Sequence, residues 1–145
     1  MEDFEAAYQE RMIDTEILHQ KKRRIAAMHV GGITIECLLK SMIVSFHKLT
    51  EWKTDDNEPG HTIHNPGHVL LKAVKTINKL WSKAQCHHQT LVWLNKVEYP
   101  FIEHYIDIRY LSSEPDDERY KEWLEAYIKL RQWLIKQSTS LGKRK

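Results

Sequence analysis

Apolar residues organise the chain around the stretch from Ile25 to Leu49. Ile25, Met28, Gly32, Ile35, Leu39, Met42, Phe46 and Leu49 recur at steps of three and four, which aligns them along one seam of an α-helix. His29, Glu36, Lys40 and His47 fall on a second line about a quarter turn away, because each residue advances roughly 100°. Much of the remaining circumference is small or apolar, including Val30, Thr34, Cys37, Leu38 and Val44. A helix that is apolar nearly all round is central to its domain. Gly31 and Gly32 each cost about 1 kcal/mol relative to alanine in a helix interior, so the pair predicts close approach of another backbone, or a kink.

The same pattern sets the neighbours. Residues 3 to 22 contain no proline or glycine and predict a first helix. Phe4, Tyr8, Met12 and Leu18 spread over one half of it and Ile13 and Ile17 lie opposite, which implies contacts with two neighbours. If the basic run Lys21 to Arg24 is a turn, the first two helices form an antiparallel hairpin. From Thr50 to His68 periodicity stops, and Asp, Asn, Pro and Gly mark a long loop. Asn65-Pro66 reads as an N-cap followed by proline at the first position of a third helix. Its stripe of Leu70, Val74, Ile77, Leu80, Trp81 and Ala84 runs unbroken to about Cys86.

From Gln89 to Ser112, Leu91, Leu94, Phe101, Tyr105 and Ile108 keep helical spacing, but Pro100 predicts a kink or two short helices meeting at Tyr99-Pro100. The acidic turn from Ser112 to Glu118 suits the positive pole of a last helix carrying Tyr120, Trp123, Tyr127, Leu130 and Leu134. No segment alternates like a strand. The expected fold is all-α, an antiparallel up-and-down bundle of four to five helices, with residues 1–138 as one domain and 139–145 as a flexible basic tail.

Composition adjusts this picture only modestly. At 145 residues the chain can build one core without disulfides or metal. The two cysteines, Cys37 and Cys86, read as reduced small hydrophobes. The first ten residues are acidic and lack the pattern of a signal peptide, and no run approaches the ~18 uncharged apolar residues of a membrane span. A cytoplasmic protein without a membrane partner is expected. A formal charge of +2 carries little information about nucleic acid, but nine histidines make the charge conditional on pH.

Residues of the central stretch read Ala27, His29, Gly32, Ile35, Glu36, Cys37, Leu39 and Lys40, or A-x-H-x-x-G-x-x-I-E-C-x-L-K. His68-Val69-Leu70 follows a polar loop, and Arg109-Tyr110 precedes the last turn and helix. This succession resembles the HEPN domain, a helical family named for nucleotide binding in higher eukaryotes and prokaryotes, over roughly residues 20 to 135. The resemblance implies a module that binds a nucleotide, nucleic acid or partner protein. It further implies a nucleotidyltransferase or another toxin-antitoxin component as the partner class. The ribonuclease branch of the family places an arginine four to six residues before a histidine near the start of the last helix. Here Arg119 has no such histidine, since none follows His104.

The candidate ligand-binding set is therefore His29, Glu36, Lys40, His68, Arg109 and Tyr110. Arginine's planar fork suits phosphate and tyrosine offers a stacking face. The bland reading of Glu36 and Lys40 is an exposed i, i+4 pair. No catalytic residue is assigned; the enzyme alternative is a metal-independent ribonuclease using Arg23 or Arg24 with His29, and a second alternative is a purely structural interaction protein. His61, His64 and His68, with Cys86, His87 and His88, have metal-ligand chemistry. Their two clusters lie about 27 Å apart if the third helix is straight, so neither metal nor cofactor is assigned. Among the five tryptophans, Trp52, Trp93 and Trp133 lie off the apolar stripes and point to a homodimer interface.

Overall fold

A computed structural model of the chain describes residues 1–54 and 63–142. Six α-helices and one 3-10 turn make up its regular structure among those residues: α1 (Phe4–Gln20), α2 (Arg24–His47), α3 (Leu70–Lys75), α4 (Asn78–Cys86), α5 (His88–Glu98), the turn Asp107–Tyr110, and α6 (Asp117–Gly142). The all-helical bundle expected from the sequence is what the chain forms.

α1 and α2 form the predicted hairpin. Asp3 caps α1 by accepting from the Ala6 amide at 3.0 Å. The basic run is a tight turn in which Lys22 adopts φ +58° and the Arg23 amide returns to the Leu18 carbonyl at 2.9 Å. Across the pair, the hydroxyls of Thr15 and Thr34 meet at 3.1 Å, both buried.

α2 is the central rod. Its seam from Ile25 to Met42 is buried, and so are Thr34, Cys37 and Leu38 on other faces. Only near its end does the seam surface, with Phe46 37% exposed. α2 is long and apolar enough to cross a membrane, but 72% of its most apolar window is buried inside the bundle, as in a core helix. The glycine pair admits aromatic rings rather than a second backbone. A Cβ on Gly31 would strike the Trp123 ring of α6, and one on Gly32 would overlap the ring of Tyr105. α2 itself continues through both glycines.

Three elements depart from the sequence reading. The third helix is two helices: Ile77 takes an extended conformation, φ −108° and ψ 104°, between α3 and α4, although its side chain stays fully buried. Asn65-Pro66 does not open α3. Asn65 instead accepts from the Gly67 amide at 2.9 Å in a local turn, Gly67 sits at φ +64°, and helix begins only at Leu70. Lastly, α5 stops at Glu98, because the residue before a proline is steered out of the α region, and Tyr99 accordingly leaves it with φ −127° and ψ 76°. Residues 100–106 are irregular and one 3-10 turn follows, so the segment is neither one helix kinked at Pro100 nor two short helices meeting there.

The acidic turn before α6 serves two helices. Asp116 caps α6 through the Arg119 amide at 2.8 Å, while Glu114 caps α2 through the Ile25 amide at 3.0 Å. Residues 139–142, expected in a loose tail, are the last part of α6.

Candidate functional site

Glu36 lies at the middle of α2 and is 8% exposed, so its charge needs partners. It has three. Lys40, one turn on and itself buried, donates from Nζ at 3.0 Å; the Tyr105 hydroxyl donates at 2.5 Å; and His68 Nδ1 lies 2.7 Å away. Burial pushes the Glu36 carboxyl up, but the hydrogen bonds from Tyr105, His68 and Lys40, with the Lys40 charge, outweigh it and hold the group below the usual carboxylate range. Burial first, then the Glu36 charge and the hydrogen bond to it, drives the Tyr105 phenol far above its ordinary value. Tyr105 is thus a fixed donor and Glu36 a fixed anion. The pair Glu36–Lys40 is not the exposed surface pair of the bland reading.

Tyr105 is held at every polar handle. Its amide donates to the Glu98 carbonyl at 2.9 Å, its carbonyl lies 2.8 Å from His29 Nδ1, and its ring stands against Gly32. Beside it, Glu98 turns its buried carboxylate onto the first amides of α3, with Leu70 and Leu71 each donating at 3.0 Å. His104 Nε2 lies 2.8 Å from the His68 carbonyl and 3.5 Å from Glu98, and its Nδ1 accepts from the Ile106 amide. The segment before α3 is therefore fastened from two sides.

His68 differs from every other member of the cluster. Its side chain is 61% exposed while its carboxylate partner is nearly buried. With Nδ1 committed to Glu36, the ring is oriented and Nε2 is left to the solvent side, where it can donate to an anion when the ring is protonated or exchange a proton with a bound group.

Of the residues expected at a ligand site, His29, Glu36, Lys40 and His68 belong to this one network, linked through Tyr105. Arg109 and Tyr110 do not join it. Arg109 donates to the Ile106 carbonyl at 2.7 Å and to the Tyr110 hydroxyl at 3.0 Å, and its guanidinium lies over the Tyr110 ring, which is 75% exposed. Arg24 and His29 have different duties: Arg24 pairs with Asp117 at 2.6 Å and reaches the Pro115 carbonyl, tying α2 to α6, whereas His29 holds Tyr105. Arg23 is exposed at the start of α2.

Among the described residues no group of histidine, cysteine or acidic side chains could hold a metal ion, and His61 lies outside those residues. Cys37 and Cys86 are both free thiols. No tryptophan is an exposed aromatic: Trp52, Trp93 and Trp133 are half-buried against the core.

Tyr105, Glu98 and His104 were not predicted. Tyr105 looked like one more member of an apolar stripe. Glu98 carried a usable signal, an acid in the last turn of a helix just before proline, where the negative pole disfavours it unless another element needs the charge. Comparison of the chain with protein-family models, with curated proteins and with solved structures finds no match.

Proposed function

We propose that this chain is a HEPN-like helical module, without catalysis of its own, that binds a phosphate-bearing ligand, a nucleotide or RNA, at the imidazole of His68. The observation that carries this reading is the outward ring of His68 held by the inward carboxylate of Glu36. Supporting it, Glu36 and Lys40, one turn apart on α2, and His68, 32 positions from Glu36, all of which carry much of the resemblance, meet in one hydrogen-bonded cluster. A fixed ring needs little ordering when a ligand arrives, which favours recognition over a freely turning surface histidine.

Thermal unfolding with mononucleotides and short RNAs tests the proposal. A ligand that binds the native state raises the apparent melting temperature by mass action. The shift is expected with wild type and absent in His68→Ala, whose own stability should stay within about 1 kcal/mol of wild type because the pair is largely exposed on the histidine side. Equal shifts in both proteins would sink the assignment.

One observation bears on the ribonuclease alternative. An imidazole oriented by a carboxylate is the usual arrangement of a general acid or base, and here that pair is His68 with Glu36 rather than His29 with Arg23 or Arg24. If wild type cleaves RNA, cleavage should vanish in His68→Ala and survive Arg24→Ala.

A further inference from the structure

α6 has two apolar stripes. One, Tyr120, Trp123, Tyr127, Leu130 and Leu134, is buried in the bundle. The other, Leu124, Ile128 and Ile135, is interleaved with Lys121 and Arg131 at steps of three and four and faces outward, with Ile128 36% and Ile135 39% exposed. Across a groove of about 590 Å³ stands α1, whose Ile13 and Ile17 are each 51% exposed and share their face with Glu10 and Glu16. Both helices rest on α2, and the groove between them is floored by Met12 and Tyr127.

Arg131 is the charged group in this groove that lacks a carboxylate. Its Nη1 meets the thioether of Met12 at 3.3 Å and its guanidinium lies 5.9 Å from the centre of the Tyr127 ring, but its Nε is buried without an acceptor and among the described residues it has no ion pair. A guanidinium prefers a carboxylate fork to sulfur. Glu16 lines the same groove but accepts from Gln20 at 3.1 Å instead.

We propose that the α1–α6 face is covered by a second copy of this chain, related by a two-fold axis that lays α1 of one protomer along α6 of its partner. A two-fold interface must be complementary to itself. This face is: the outward stripe of α1 is isoleucine with acids, and that of α6 is isoleucine and leucine with bases. The arrangement would pair acidic positions 10 and 16 with basic positions 121 and 131 twice over, and would cover Ile13, Ile17, Ile128 and Ile135. It also supplies the second neighbour that the two-sided pattern of α1 requires. The inference does not depend on His68, which lies in another part of the molecule's hydrogen-bonding network.

Sedimentation velocity on the full chain, from low to high micromolar, tests it with two charge-reversed proteins. Glu10→Lys with Glu16→Lys makes both walls basic; Lys121→Glu with Arg131→Glu makes both acidic. Wild type is expected to be a dimer, each reversed protein alone a monomer, and their equimolar mixture a dimer again. Circular dichroism checks folding, and Ile17→Asp, at an exposed position, gives a second monomer whose fold the change leaves alone. A monomeric wild type, a dimer that survives Ile17→Asp, or reversed proteins that fold but do not recombine would each overturn the proposal.

Discussion

On one flank of α2 a buried carboxylate has three hydrogen-bond partners, whereas between α1 and α6 a guanidinium has a thioether and the face of Tyr127 but no carboxylate. The two regions are similar in composition, each mixing aromatic rings, a cation and an acid. They differ in closure. Around Glu36 every charge is answered from within the chain, so the region defines the fold and leaves a single side chain, His68, facing out. Around Arg131 the apolar surface and the cation are left over once the fold is complete, which is how an interface for another molecule looks. A charge answered from within the chain marks architecture, and a charge beside exposed apolar surface without a counter-charge marks where something else belongs.

Perturbing the closed region should be costly. Glu36→Gln keeps the shape but strands the Lys40 charge, and a buried pair broken on one side typically costs about 3–5 kcal/mol. Urea unfolding at neutral pH measures this. The acid dependence follows from the direction of the Glu36 shift. Because its folded-state pKa is depressed, its contribution is complete above the unfolded carboxyl value of about 4.3 and is lost as pH falls through the lower folded value. The gap between wild type and Glu36→Gln should therefore narrow on acidification; a gap that widens would mean that the carboxyl is not held down.

Gly32→Ala tests the same region sterically. The added methyl overlaps the Tyr105 ring, which is fully buried and cannot swing away without breaking its bond to Glu36, so a loss of up to about 3 kcal/mol is expected in the same assay. Glu98→Gln removes the charge from the cap of α3 and should cost about 2 kcal/mol, with faster hydrogen exchange at the Leu70 and Leu71 amides. In the open region Ile17→Asp should leave unfolding of the monomer within about 0.5 kcal/mol of wild type. A large loss there would mean that the isoleucine face belongs to the fold after all.

The sequence made α2 legible because a central helix is apolar on several sides, and no local signal competes with that. It made part of the polar cluster legible, since His29, Glu36 and Lys40 line up beside the buried seam of α2. Tyr105 and Glu98 escaped because their roles depend on an irregular segment, where no period tells which way a side chain points. The break at Thr76–Ile77 escaped for the opposite reason. Leu70, Ala73, Val74, Ile77, Leu80 and Ala84 are all buried, so the stripe stays intact through a backbone that does not. Arg109 and Tyr110 stand side by side in the sequence and pair with each other rather than with the cluster.

The carboxylate of Glu98 on the first amides of α3 has a consequence for how the chain assembles. A helix of six residues lies far below the length at which helices persist by themselves. Its start is completed by a side chain 28 positions downstream, which must first be delivered by the end of α5. α3 accordingly depends on tertiary contact and cannot stand without its own successor. The outward-facing histidine just before it therefore keeps its fixed pose only while the end of α5 is docked.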